Sequence, residues 1–232
     1  MKRLWVLALA TSLVIGCAPP SVYRKIERTA VNAIQTELGP AESWSAKVSR
    51  DKITDLVEGD ISQLSVKGKR VRPRPDLIID EVVLEARDLN VDVKNKTLNS
   101  VKETAISAKL SPSSLALMIE SMTDIREPSV TFEPDLVEVR GVYDVMGVPF
   151  RIRARGRMTV EPPRILRFTS DSVTAVGLTA PLKISKTLDM GKVYPAILLE
   201  SVTISPTAVT AHGSLEPAAL AKLIEDRKAA GQ

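Results

Sequence analysis

The stretch Val148-Pro-Phe-Arg-Ile-Arg-Ala-Arg-Gly-Arg-Met-Thr-Val160 decides the fold. Its even-numbered positions hold apolar residues and Gly156. Its odd-numbered positions include four arginines, which we call the arginine row: Arg151, Arg153, Arg155 and Arg157. A period of two over this length predicts a strand with one dry and one wet face. At about 3.3 Å per residue it would span about 43 Å, whereas strands usually have about 5–6 residues. A glycine in mid-strand marks the expected place of a bend.

Residues 137–145, just upstream, alternate in the same way and predict the partner strand of a hairpin. Met146-Gly147 would form its two-residue turn. In that register Tyr143 faces Phe150, and the apolar faces of the two strands coincide, as a half-buried hairpin requires.

The composition narrows the classes of function. The chain has 232 residues, 3% aromatic residues and one cysteine. Scarce aromatic residues argue against a nucleic-acid platform, because bases stack on Phe, Tyr or Trp. The net charge of +4 includes Lys2 and Arg3, so the rest of the chain is only mildly basic. A single cysteine excludes an internal disulfide and a cysteine-based metal cluster.

The start of the chain has the pattern of an export signal. A basic Met1-Lys2-Arg3 precedes a mostly apolar run over residues 4–15, which is shorter than the roughly 20 residues of a spanning helix. The run ends in Val14-Ile15-Gly16-Cys17, which resembles the lipobox of bacterial lipoproteins, where the cysteine thiol receives a diacylglyceryl group. The alternative is an ordinary leader followed by a chance cysteine.

From this pattern we predict a signal peptide over residues 1–16 and a lipidated tether over 17–20. No Gly- or Ser-rich linker interrupts the rest of the sequence, which predicts a single domain over 21–228. The protein would be anchored to the cell membrane by acylated Cys17, on the extracytoplasmic side, because several acyl chains hold a protein firmly in a bilayer. Ala18, rather than aspartate, follows the cysteine. By the lipoprotein sorting rule, the anchor would lie in the outer membrane, facing the periplasm, if the cell has two membranes.

Two amphipathic helices are expected in this domain. Ser21 would cap a helix over residues 22–38, which ends at Gly39-Pro40. Ser111-Pro112 marks the start of the second, with serine at the N-cap and proline in the first turn. The helices either pack on a sheet or close over an apolar groove. Residues 217–228 would form a short terminal helix.

The predicted fold class is α+β, with a long, curved antiparallel sheet wrapped around one or two amphipathic helices. Complete covering of the apolar face gives a filled core, whereas incomplete covering leaves a groove in which an acyl chain gains about 0.8 kcal/mol per CH₂. The pattern alone leaves both possibilities open. The groove would be lined by Val139, Tyr143, Phe150, Ile152, Met158, Leu115, Met118, Ile119, Met122, Ile26 and Ile34.

The arginine row has two interpretations. Alternate residues lie about 6.7 Å apart, so repulsion between neighbours in water is only about 0.6 kcal/mol. Glu138 would face Arg155 across the hairpin and neutralise part of the charge. The row is therefore either a solvated face or a contact for anionic headgroups at a membrane surface.

Catalytic chemistry is not indicated. His212 is the only histidine, so neither a histidine-based triad nor a His/Cys zinc site can be assembled. Phosphate-loop and dinucleotide motifs are missing from the sequence. The acidic residues between positions 51 and 60 are interpreted as solvated rather than as a metal site. We therefore expect no enzyme activity, no metal and no cofactor.

Several short motifs follow one another along the chain. They are Ile53-Thr-Asp-Leu-Val-Glu-Gly-Asp-Ile, Leu64-Ser-Val-Lys-Gly, Leu84-Glu-Ala-Arg-Asp-Leu-Asn-Val-Asp, Ala105-Ile-Ser-Ala-Lys-Leu-Ser-Pro-Ser-Ser-Leu, and the closing Leu188-Asp-Met, Tyr194-Pro-Ala, Leu199-Glu-Ser-Val-Thr-Ile and Val209-Thr-Ala-His-Gly-Ser-Leu. Over residues 21–215 their order resembles the LmeA-like phospholipid-binding family, and residues 21–228 would then be a lipid-binding domain. The resemblance implies an exported protein that binds phospholipid, preferably anionic, on a curved sheet around helices, like half of a tubular lipid-binding module. Members more often carry a plain leader or a membrane helix than a lipobox.

The expected function is therefore that of an extracytoplasmic, membrane-anchored lipoprotein that holds or shuttles phospholipid. Its partners would be phospholipid and, through acylated Cys17, the membrane. Nucleic acid is not expected, and no protein partner is indicated. The alternative is a non-catalytic structural or protein-interaction module of the cell envelope, and a hydrolase of envelope lipids comes third.

Overall fold

The computed structural model describes residues 20–49, 53–92, 97–145, 147–175, 178–180, 185–192 and 194–216. The predicted leader, Cys17 and the terminal helix over 217–228 lie outside these residues. The described chain is mostly antiparallel strand with a few helices, which confirms the α+β class. Curvature of the sheet and the apolar groove stay predictions.

The helices are α1 (Pro20–Leu38), α2 (Ile53–Glu58) and α3 (Pro112–Met122), with a 3₁₀ turn at Met190–Lys192. The strands are β1 (Ser43–Val48), β2 (Asp60–Arg74), β3 (Leu77–Asp92), β4 (Thr97–Leu110), β5 (Ile125–Glu133), β6 (Leu136–Val145), β7 (Val148–Glu161), β8 (Ile165–Ala175), β9 (Leu178–Ala180), β10 (Ser185–Asp189), β11 (Ile197–Ser205) and β12 (Ala208–Leu215).

These strands form two sheets, where the sequence predicts one. The first has the order β1-β2-β3-β4-β12-β11, and the second has the order β10-β8-β7-β6-β5 with β9 paired to β8. The division follows from α3, which takes the chain out of the first sheet between β4 and β5. The last hairpin, β11–β12, then returns to pair with β4.

The predicted hairpin is β6–β7, and its register is confirmed. Tyr143 pairs with Phe150, Val145 with Val148 and Glu138 with Arg155. Gly147 has a φ of 82°, which suits a two-residue hairpin turn.

Both mid-strand glycines of this hairpin lie where a neighbouring strand leaves its regular register. The β7–β8 register shifts between Arg155 and Gly156. A Cβ at Gly156 would lie 2.2 Å from the carbonyl oxygen of Thr169. The β5–β6 register shifts opposite Gly141, where a Cβ would lie 2.4 Å from Cγ2 of Ile125. The glycines therefore allow close contacts with β8 and β5.

Helix α3 lies between the two sheets and is fixed by its N-terminus. The predicted N-cap is confirmed, since Ser111 Oγ accepts a hydrogen bond from the Ser114 amide at 3.3 Å. The Ser111 amide in turn donates to Asp80 of β3 at 2.6 Å. Burial opposes ionisation of Asp80, but the hydrogen bonds from Ser111 and Ser114 outweigh it and lower the pKa of the carboxyl. The cap thus joins α3 to the first sheet.

Helix α1 packs on the first sheet at its β1 and β2 side. Ile34 and Leu38 pack with the cluster around Val66 and Ile79, and Ile26 packs with a second cluster around Leu56. The helix begins at Pro20, so Ser21 lies within it and is not the predicted cap. It ends at the predicted Leu38.

The turn between β7 and β8 connects the two sheets. Arg164 donates from Nε to the carbonyl oxygen of Ile197 at 3.1 Å and forms an ion pair with Glu216 at 2.6 Å. The amide of Leu199 donates to the carbonyl of Pro163 at 2.7 Å. Because β11 belongs to the first sheet, these bonds fix the second sheet against it.

Candidate functional site

The predicted groove residues separate into several places. Val139, Leu115, Met118, Ile119 and Met158 lie together in one cluster between α3 and the second sheet. Ile26 and Ile34 pack against other clusters of the first sheet. Ile152 and Phe150 are half-buried, Tyr143 is 40% exposed, and the Met122 side chain lies outside what the structure describes.

The cluster between α3 and the second sheet is packed with side chains. Leu115, Val130, Phe132, Val137 and Val139 are all buried there. Within the described residues, no groove runs through this cluster. Open space is found instead on either side of β5, the edge strand of the second sheet.

The first space is an apolar depression of about 510 Å³ between α3 and β5. Leu117, on the outer side of α3, is 48% exposed there. We call it the α3–β5 depression, and it is lined by Pro112, Ser113, Ala116, Leu117, Glu120, Pro128, Ser129 and Val130.

The second space is a basic depression of about 620 Å³ on the arginine side of the second sheet. It forms where Glu127, at a φ of 49°, and Pro128 leave the β5–β6 ladder opposite Gly141. We call it the arginine depression, and it is lined by Glu127, Ser129, Arg140, Gly141, Val142, Arg151, Ile152, Arg153 and Thr174.

The two depressions meet at the bulge of β5. Ser129 lines both, and Pro128 and Glu127 next to it line one each. An apolar surface and a basic surface are therefore adjacent across a single edge strand. Sequence reasoning missed this bulge, although proline inside a strand pattern is a signal for an edge or a bulge, and Pro128 supplies it.

A buried carboxylate organises the arginines. Glu138 is only 2% exposed and binds the Nε of Arg140 at 2.7 Å and a terminal nitrogen of Arg153. Burial opposes ionisation, but these two hydrogen bonds outweigh it and lower the pKa of the Glu138 carboxyl. The same contact raises the pKa of Arg153. Glu138 thus fixes two guanidinium groups at the depression.

The remaining arginines of the row differ in their partners. Arg155 pairs with Glu133 of β5, so its side chain does not bind the Glu138 that it faces in the register. Arg157 lies 4.0 Å from Asp171. Among the residues that the structure describes, Arg151 has no carboxylate within ion-pair distance. Most of the row is therefore neutralised, and Arg151 keeps its charge available.

In the described ranges, no three His, Cys, Asp or Glu side chains are grouped to hold a metal ion. None of the helices seen there is both long and apolar enough to cross a membrane. His212 is exposed on β12.

Comparison with known proteins finds no relative of this chain. The chain matches no family model, no curated protein and no solved structure. The resemblance to LmeA-like proteins stays a prediction, and the geometry of the two depressions carries the functional argument.

Proposed function

We propose that this chain is an extracytoplasmic, membrane-anchored lipoprotein that binds phospholipid at the edge strand β5 and holds or shuttles it. One observation supports this more than any other. An apolar depression and a basic depression adjoin at Ser129. A phospholipid has the same division, with an apolar chain joined to an anionic headgroup.

The acyl chain would lie in the α3–β5 depression. Leu117, Pro128 and Val130 offer it apolar surface. The volume of about 510 Å³ falls within the roughly 300–1,000 Å³ of small-molecule sites. Each CH₂ removed from water contributes about 0.8 kcal/mol, so part of one chain is enough for binding.

The phosphate would lie in the arginine depression. Arg151 supplies a guanidinium without a carboxylate partner among the described residues, and guanidinium binds phosphate through two parallel hydrogen bonds. Arg140 and Arg153, held by Glu138, add positive charge at fixed positions. Glu120 and Glu127 line the depressions as well, and their charge disfavours headgroups with several negative charges.

The proposed anchor places the domain at a membrane. Cys17 precedes the first residue of α1, Pro20, by three positions. Three residues reach about 10 Å at most, so acylation of Cys17 would keep the start of α1 close to the bilayer surface. Labelling with a radioactive fatty acid, lost in Cys17→Ser, tests this part separately.

Native mass spectrometry followed by lipid extraction tests the proposal. The chain from residue 17 with Cys17→Ser should co-purify with phospholipid. Leu117→Glu and Arg151→Ala should both lower the bound fraction several-fold, because they remove apolar contact and phosphate contact respectively.

Two exposed positions of the first sheet give matched controls. Ala105→Glu adds the same charge as Leu117→Glu, and Arg87→Ala removes the same charge as Arg151→Ala. Both should retain the lipid. Lipid-free protein, or equal loss in variants and controls, would contradict the proposal.

One observation favours the second candidate, a structural or protein-interaction module of the envelope. The cluster between α3 and the second sheet, where several groove residues were expected, is filled by side chains. A lipid-free protein that captures an envelope protein by cross-linking in cells would support this function instead.

A further inference from the structure

The far end of the β6–β7 hairpin exposes large apolar side chains. Val148 is 53% exposed and Tyr143 is 40% exposed. Pro149 is also exposed, and Phe150 is half-buried. We call these four residues the hairpin tip. At the base of the same hairpin, Val137 and the other inward residues are buried under α3 and its neighbours.

The charges around the tip are of both signs. Arg126 pairs with Asp144 at 2.8 Å. Arg151, directly after the tip, lines the arginine depression together with Glu127, but it has no carboxylate within ion-pair distance in the described part of the chain. Arg151 is therefore a cation that can contact lipid phosphates. Tyrosine and arginine around small apolar groups are the residues that suit a bilayer interface, where aromatic rings lie at headgroup level and guanidinium groups reach the phosphates.

The tip lies far from the proposed anchor. The first turns of α1 pack against Ile61 at one end of β2. At the other end, Ser121 of α3 donates to Asp76 in the β2–β3 turn, and Ile125 shortly afterwards pairs with Tyr143. The 15 residues of β2 separate these ends by about 45 Å at ~3.3 Å per residue. A contact made by the tip is therefore separate from one made by Cys17.

We propose that the hairpin tip docks into the surface of a lipid bilayer that contains anionic lipid. Tyr143, Val148 and Phe150 enter the interfacial region, and Arg151 contacts lipid phosphates. This contact is with a bilayer, whereas the two depressions at β5 bind a single lipid molecule. It gives the protein a second membrane contact, at the end away from the proposed anchor.

Vesicle sedimentation tests the proposal with the chain from residue 17 that carries Cys17→Ser, which removes the anchor. The protein should partition onto vesicles of phosphatidylcholine with one quarter phosphatidylglycerol. Val148→Asp should lower the partition coefficient about tenfold or more, since it replaces an apolar contact by a charge. The protein without further substitution should partition more weakly onto vesicles of pure phosphatidylcholine, because these carry no net negative charge to attract Arg151.

A fluorescent probe at the tip reports membrane contact directly, by a signal that appears on binding and not by a loss of binding. Val148→Trp places a tryptophan at the tip, and the only other one after residue 17 is Trp44 in β1. The emission of the tryptophan at position 148 should shift to the blue when anionic vesicles are added. Unchanged emission, or absence of wild-type binding to these vesicles, would overturn the proposal.

The outcomes also separate this proposal from the proposed function. Val148→Asp should lose vesicle binding and retain co-purified phospholipid. Leu117→Glu should retain vesicle binding and lose the co-purified phospholipid, because Leu117 lies in the α3–β5 depression and away from the tip. Vesicle binding that survives Val148→Asp contradicts tip docking, whatever the result for bound lipid.

Discussion

Two leucines on α3 provide a direct comparison of its inner and outer sides. Leu115 is 4% exposed within the cluster between α3 and the second sheet, and Leu117 is 48% exposed in the α3–β5 depression. Each is replaced by alanine, so helix propensity and the number of atoms removed are the same in both variants. Only the surroundings of the side chain differ.

The expected magnitudes differ widely. Leu115→Ala removes a fully buried side chain and leaves a cavity, which costs about 2–5 kcal/mol of the free energy of unfolding. For a domain of this size, about 2–4 °C of Tm is lost per kcal/mol, so a loss of about 3 kcal/mol lowers Tm by about 6–12 °C. Leu117→Ala should change the free energy of unfolding by about 0.5 kcal/mol or less.

Denaturant unfolding and lipid extraction on the same samples form the assay. Leu115→Ala should be much less stable. Leu117→Ala should have wild-type stability and a lower bound fraction of phospholipid. Equal destabilisation by both substitutions would refute the placement of α3, since it would mean that Leu117 is also buried. Full retention of lipid by Leu117→Ala would refute the proposed acyl-chain site.

Three further predictions concern the frame around the site. Gly156→Val should destabilise the fold by about 1–3 kcal/mol in denaturant unfolding, because its Cβ would lie 2.2 Å from the Thr169 carbonyl oxygen; wild-type stability would contradict this close contact. The pKa of Asp80 is lowered from its ordinary 3.8 in the folded protein, so its stabilisation is present above about pH 4 and is lost as the pH falls through the folded pKa. Asp80→Asn should therefore weaken the acid dependence of unfolding, and an unchanged pH profile would exclude this role. Arg164→Ala should cost about 1 kcal/mol and increase hydrogen exchange in β11, since it loses the bonds to Ile197 and Glu216; unchanged exchange would show that the turn does not join the sheets.

Local sequence patterns predicted the elements that depend on near neighbours. The β6–β7 register follows from the period of two and a two-residue turn, and both are properties of about 25 consecutive residues. The Ser111 cap is equally local. The pairing of β12 with β4 joins residues about 100 positions apart, and no local pattern encodes it.

Which residues line the candidate site also depends on long-range pairing of strands. The division into two sheets decides that Val139 is buried by α3 and that Tyr143, on the same parity of the same strand, is exposed. The alternation specifies a face but not how far along the strand a helix covers it. The β5 bulge was not predicted from the sequence either, although Pro128 inside the strand is a signal for it.

Photo-cross-linking with a phospholipid that carries a diazirine on its acyl chain tests the central claim most directly. Peptide mapping should place the cross-links in residues 112–120 of α3 and 128–130 of β5, the two segments that line the α3–β5 depression. Cross-links confined to the first sheet, or their absence from these two segments while lipid is bound, would contradict the proposed site.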